Sequence, residues 1–320
     1  MRVIVIGGAG YIGSHVAQEL LDRGHAVTVF DNLYSSAREY VPSGATFVHG
    51  TIMQSEELTE AIDGHDAIVH LAALKAAGDS MHVPDRYASA NISGTINVIN
   101  AARRTGTDRL VFSSSAAVYG EPQYLPIDEQ HPTDPSNFYG YTKLQIEGLM
   151  EWYSRLGDLR YAALRYFNAA GYDPSGRVRG LEYKPANLLP VIMEVAAGMR
   201  DELSIFGTDY DTPDGTGVRD YIHVSDLALA HALAIEYLEQ HNRNLVVNLG
   251  SESGLSVREL LDTARKITGK AIPAREVERR AGDPGKLVAS SQLARRELSW
   301  EPQYSDVQTL VQTSWDAYRR

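Results

Sequence analysis

The chain has 320 residues, enough for one large domain or two medium ones with cores of their own. With 30 Lys+Arg against 41 Asp+Glu the net charge is −11, which argues against nucleic acid or an anionic membrane surface as partner. Cysteine is absent, which excludes disulfides, thiolate metal sites and a cysteine nucleophile and makes a reducing cytoplasm the expected setting.

The first element is a β-branched strand, Arg2-Val3-Ile4-Val5-Ile6. It stops at Gly7, too early for the apolar core of a signal peptide, and no later stretch approaches a membrane span. Gly7-Gly8-Ala9-Gly10-Tyr11-Ile12-Gly13 follows, then a helical stretch over 14–23. The glycines fit a dinucleotide-binding turn: a tight bend, close approach of backbone to pyrophosphate, and tight packing of helix on strand. The free N–H groups at the helix start face the phosphates. A second strand over 26–30 ends in Asp31, where an acid binds the adenosine ribose and repels a 2′-phosphate. NAD, rather than NADP, is therefore the expected cofactor.

Strands and helices keep alternating, the signature of a Rossmann-like, doubly wound parallel sheet in an α/β protein. A strand is expected at 46–49, a helix at 55–62, a strand at 67–71 and a long helix over 84–104 with Pro84 in its first turn. The strand at 109–113 precedes a proline-rich loop, a helix from about Asn137 to Leu156 and a strand at 161–166. Beyond Asn168 the rhythm breaks into turn-rich segments, with helices expected at 187–198, 225–239 and 256–268. The expected division is an NAD-binding domain, 1–167 plus about 220–250, and a smaller substrate-binding lobe, about 168–219 plus 251–320.

The chemistry centres on Tyr139-Gly140-Tyr141-Thr142-Lys143. Tyr139 and Lys143 are spaced i,i+4 and share a helix face, whereas Tyr141 points elsewhere. An ammonium beside a phenol stabilises the phenolate, and a nicotinamide cation would lower its pKa further, so Tyr139 is the candidate base. Ser113-Ser114-Ser115 lies at the carboxyl end of the preceding strand, where ligands bind in open α/β sheets.

These motifs resemble the extended short-chain dehydrogenases/reductases. Leu164-Arg165-Tyr166-Phe167-Asn168, Ile205-Phe206-Gly207, the run from Asp214 to Val224 and Arg279-Arg280-Ala281-Gly282-Asp283 are similar to the UDP-glucose 4-epimerase family over essentially the whole chain. The resemblance implies an isomerase that reversibly inverts C4 of a UDP-hexose through a 4-keto intermediate, using tightly bound NAD. It implies Tyr139, Lys143 and Ser115 as the catalytic residues. It places Gly7, Gly10, Tyr11, Ile12, Gly13, Asp31, Asn32, Ser35, Ser36, Thr51, Ile52, Leu71, Ala72, Ala73, Lys75, Ser113 and Phe167 with Tyr139 and Lys143 around NAD. It assigns Asn168, Asn187, Leu188, Phe206, Arg219, Arg280, Asp283 and Leu287 with Lys75, Ser115 and Tyr139 to the UDP-sugar. Arg219 and Arg280 would supply the cationic pocket for a diphosphate. A homodimer through the helices around 84–104 and 137–156 is likewise implied.

Some positions depart from the family pattern. Thr51 replaces an Asp that meets the adenine amino group, Ala90 replaces an Asn, and Leu71-Ala72-Ala73 replaces Phe-Ala-Gly, which together imply looser NAD binding. Leu287 stands where some members carry a Tyr beside the sugar C2 substituent. No metal is expected: in the stretch from Asp209 to Gly215, Pro213 takes the fifth position of a calcium loop and Asp214 the sixth, where glycine is required. The rival readings are a nucleotide-sugar 4,6-dehydratase or decarboxylase, whose carboxylates after the strand are replaced here by Ala116 and Ala117, and a non-catalytic NAD-sensing protein.

Overall fold

The computed structural model describes residues 1–279 and 283–319. Its main sheet contains β1 (Arg2–Ile6), β2 (Ala26–Asp31), β3 (Thr46–His49), β4 (Ala67–His70), β5 (Arg109–Ser115), β6 (Arg160–Tyr166) and a late strand, Leu245–Leu249. All neighbours are parallel, and the order across the sheet is Leu245–Leu249, β6, β5, β4, β1, β2, β3. The direction of winding reverses between β1 and β4, which opens the crevice where ligands bind in such sheets.

Burial on both faces explains the continuous apolar character of the central strands. Val3 and Val5 point to one layer, with α1 (Tyr11–Asp22) and the Val224–His241 helix; Ile4 and Ile6 point to the other, with α2 (Ser55–Ile62) and the Gly94–Thr105 and Phe138–Leu156 helices. A second core, around Leu189, Ile192, Leu260, Val311 and Trp315, lies under the helices of the later segments. Short sheets occupy that region, among them Asn168–Ala170 beside Tyr221–His223 and Leu203–Phe206 beside Ala274–Val277.

Two expected elements are altered. The long helix expected over 84–104 is interrupted: Pro84–Tyr87 is α-helical, Ala88–Ser93 is a π-turn, and Gly94–Thr105 resumes the α-helix before Gly106 closes it at φ 75°. Asn91, inside the π-turn, bonds the Leu74 backbone on both sides (Leu74 N to Oδ1 2.8 Å, Nδ2 to Leu74 O 3.0 Å) and reaches Thr142 Oγ1 at 3.1 Å. This anchoring accounts for the extra residue in the turn. Strand β5 runs two residues further than expected, because Ser114 and Ser115 pair with Arg165 and Tyr166.

Candidate active site

The glycine turn joins β1 to α1 at the winding reversal. Gly7 has φ 83°, and a Cβ there would lie 2.6 Å from the Ala72 nitrogen; a Cβ on Gly13 would collide with the Gly7 carbonyl. At Gly10 a Cβ would meet only the Gly7 oxygen, at 3.3 Å, so the outer side of the turn is open. Gly10 caps α1 without a side-chain hydrogen bond, and no acid stands in the first turn. Helix-start N–H groups with no competing carboxylate suit a diphosphate. Leu71 and Ala72 donate to the Ile6 carbonyl at 2.8 and 3.0 Å, which sets 71–73 against this turn.

Asp31 ends β2 and is 9 % exposed. It accepts the Ala9 N–H at 3.0 Å, the Leu33 N–H at 2.8 Å and the Ser36 hydroxyl at 3.2 Å. Asn32 accepts the Tyr34 N–H at 3.0 Å, and Ser35 is exposed on the same loop. Thr51 Oγ1 accepts the Met53 N–H at 3.3 Å, and Asn97 holds the Ile52 carbonyl at 2.9 Å. The open turn, the bare helix start and the acid beside them fit a dinucleotide.

Ser115 is the last residue of β5 and caps the short helical turn Ala116–Val118, accepting the Ala117 N–H at 3.2 Å. Asn137 caps the Phe138–Leu156 helix by accepting the Gly140 N–H at 2.9 Å, and Tyr139 lies in its first turn with its N–H on Ser80 Oγ at 3.0 Å. Lys143, one turn on, is 2 % exposed; its Nζ donates to the Ser113 carbonyl at 2.6 Å and lies 5.7 Å from the centre of the Tyr139 ring. Tyr141 is 43 % exposed and stacks on Phe138 at 5.5 Å, away from this group.

In the protein alone, burial pushes the Tyr139 phenol up to about 12, against a lowering hydrogen bond with Ser115. Burial also pulls the Lys143 amine down to about 7, with Glu147 working against it. Burial dominates at the phenol in the protein alone, so the phenolate needs a positive charge beside it.

The remaining residues fall into two groups. Phe167 is 8 % exposed and packs with Val118, Tyr119, Ile127 and Leu287; Asn168 Nδ2 donates to the Asp220 carbonyl at 2.9 Å. Asn187 caps the Leu188–Ala196 helix, Phe206 ends its strand, and Leu287 pairs with Arg219. Arg219 donates to Asp283 at 2.5 Å, so the expected cation already carries a carboxylate partner. Lys75 is ion-paired with the buried Glu182, whose other carboxylate oxygen has no partner among the described residues. Arg280 lies outside the described residues.

Sequence reading passed over three supports: Ser80 under the Tyr139 backbone, Glu182 on Lys75, and Glu147 with Arg165 behind Lys143. Glu147 carries a signal, its i,i+4 spacing from Lys143; the other two meet their partners only through the tertiary fold.

A glycine turn at the winding reversal, an acid on β2 and a buried Tyr–Lys pair beside a strand-end serine define a nucleotide-dependent oxidoreductase-type α/β protein. The model of the NAD dependent epimerase/dehydratase family matches residues 3–250, and the chain belongs to that family. Curated relatives include the UDP-glucose 4-epimerase of Lacticaseibacillus casei, 44 % identical over 99 % of this chain and 96 % of its own. Among solved structures, UDP-glucose 4-epimerase from Brucella ovis in complex with NAD has a TM-score of 0.97 at 42 % identity, covering 99 % of this chain and 98 % of its own. The Bifidobacterium longum enzyme in complex with NAD+ and UDP has a TM-score of 0.93 at 35 % identity, covering 99 % and 98 %.

Proposed function

We propose that this protein is an NAD-dependent UDP-glucose 4-epimerase, interconverting UDP-galactose and UDP-glucose. The observation that carries the reading is the convergence of Ser115, Tyr139 and Lys143 at the carboxyl ends of β5 and its neighbours. Gly7, Gly10, Tyr11, Ile12 and Gly13 would hold the NAD diphosphate. Asp31 to Ser36 would hold the adenosine ribose, Thr51 and Ile52 the adenine side, and 71–73, Lys75, Ser113 and Phe167 the remainder. NAD, when bound, supplies the acceptor and then the donor of the C4 hydride, together with a positive ring charge that favours the Tyr139 phenolate.

Tyr139 takes the proton of the sugar 4-OH, and Ser115 hydrogen-bonds the same oxygen. Lys143 holds the phenolate by charge. The 4-ketose turns over in the pocket, and Tyr139 returns its proton once the opposite face is presented. Asn168, Asn187, Leu188 and Phe206 hold the uridine end, while Arg219, Arg280 and Asp283 hold the diphosphate and ribose; Arg219 exchanges or shares its Asp283 contact on binding.

The elimination chemistry of a dehydratase is disfavoured by Ala116 and Ala117, which form the turn after Ser115 without a carboxylate. A sensing role is disfavoured by the retained Tyr139 and Lys143. We place the enzyme in the cytoplasm, in galactose metabolism, as a homodimer. Tyr141, Trp152 and Leu156, exposed on the outer face of the Phe138–Leu156 helix, support the dimer. We divide the chain into an NAD domain, 1–167 plus about 220–250, and a UDP-sugar lobe formed by the rest. Incubation of the pure protein with UDP-galactose and chromatography of the products tests the activity: UDP-glucose supports it, and an unchanged substrate with NAD bound refutes it. Light scattering on an eluting column tests the dimer.

A further inference from the structure

Behind Tyr139 and Lys143 lies an ion pair for which the proposed reaction has no stated use. Glu147 stands one turn after Lys143 and two after Tyr139, so the three side chains follow one face of the Phe138–Leu156 helix. Its carboxylate is fixed from two strands: Arg165 on β6 donates through Nε at 3.0 Å and Nη2 at 2.5 Å, and Ser114 on β5 donates at 2.5 Å. Arg165 is itself tied to the Tyr119 hydroxyl at 3.0 Å, and Tyr119 to Asn248 at 2.7 Å. Glu147 and Arg165 are both buried.

Lys143 has little else of opposite charge around it. β4 presents His70, which burial and Lys143 itself depress to about 3, so it is neutral. β5 presents the Phe112 ring, 4.7 Å from the amine, and the Ser113 carbonyl. β6 brings Tyr166 and Arg165, the helical stretch before Gly94 brings Tyr87, and the lysine's own helix brings Tyr139 and Glu147; the three phenols are all pushed up by burial. Of the carboxylates on this helix Glu147 stands one turn from Lys143, whereas Glu151, a turn further on, is engaged by Arg155 and Tyr161. We propose that Glu147 is a positioning residue for the epimerisation: clamped by Arg165, it keeps Lys143 in the ammonium form that the Tyr139 phenolate requires. The proposal rests on the epimerase reading for its catalytic consequence but not for its electrostatics. It agrees with the direction in which Glu147 moves the Lys143 amine, upward against burial.

The test compares the NAD-bound wild type with Glu147→Gln. Two quantities are read: the pH dependence of kcat on UDP-galactose, and the near-ultraviolet phenolate absorbance of Tyr139, isolated by subtracting the matching Tyr139→Phe protein. Loss of the carboxylate moves the alkaline limb of kcat down by about one pH unit and the Tyr139 titration up by a similar amount. A purely packing role lowers kcat by the same factor at every pH, with both midpoints unmoved, and that result overturns the proposal. Should Glu147→Gln fail to fold, Glu147→Met with Arg165→Met removes both charges and keeps the space apolar, an exchange buried pairs often tolerate. Both midpoints then move in the same directions, by less; unmoved midpoints again overturn the proposal. If the wild type leaves UDP-galactose unchanged, the epimerase reading fails, while the absorbance titration still decides the role of Glu147.

Discussion

The carboxylate of Asp31 accepts the backbone N–H of Ala9 at 3.0 Å, tying the end of β2 to the middle of the glycine turn. The residue expected to select the cofactor therefore also shapes the loop that holds it. Protein denatured after purification, or after reloading, is expected to release NAD and not NADP, by chromatography of the nucleotide. Asp31→Ala is expected to lose NAD and about 1–3 kcal/mol of stability, because the Ala9 and Leu33 N–H groups lose their acceptor. Unchanged denaturant stability would separate the carboxylate from the loop.

Tyr139→Phe keeps the ring and removes the proposed base. Turnover of UDP-galactose is expected to fall by roughly two orders of magnitude or more, with NAD retained. Tyr141→Phe, at an exposed position stacked on Phe138, is expected to leave kcat nearly unchanged. Steady-state kinetics of the two variants side by side decides between the tyrosines.

Lys143 makes stability depend on pH. Its folded pKa, about 7, lies below the unfolded value near 10.5, so between those values the unfolded chain binds more protons and stability rises with pH. Below pH 7 both states are protonated and the burial penalty is felt in full. In NAD-free protein, urea unfolding at pH 6.5 and 9.5 should show the wild type gaining more than about 1 kcal/mol relative to Lys143→Met. A pH-independent difference would place the amine's folded pKa near its ordinary value.

Leu287 packs with Phe167 and Val118 beside the strand-end serine cluster and is shorter than tyrosine, without a phenol. The enzyme is expected to accept UDP-N-acetyl sugars as well as UDP-glucose and UDP-galactose. Leu287→Tyr should then depress kcat/KM for UDP-N-acetylglucosamine by about ten-fold or more relative to UDP-galactose, the scale of discrimination an apolar pocket achieves. A wild type that turns over UDP-galactose but not UDP-N-acetylglucosamine would refute this.

The elements that local pattern dictates are those legible without a structure. The β-branched run before Gly7, the acid ending β2 and the i,i+4 pair on a capped helix follow from periods of 2 and 3.6 and from turn chemistry, and they lie where expected. The break in the 84–105 helix was not legible, because its cause is Asn91 reaching Leu74, a contact 17 residues back along the chain. The same holds for the second half, whose short strands pair with segments far away in sequence.

The amino-acid sequence by itself determined the parallel α/β class, the glycine turn, the acid that ends β2 and the placing of Tyr139 and Lys143 one turn apart on a helix, since each is written in spacing along a single element or its neighbour. Tertiary structure decided the electrostatics. Whether Tyr139 is ionised, whether Lys143 keeps its proton and whether Arg219 is free to meet a diphosphate depend on burial and on partners such as Glu147, Arg165 and Asp283. Those partners come from other elements, and charge in a buried site responds to every group within a few ångströms, however far away it lies along the chain.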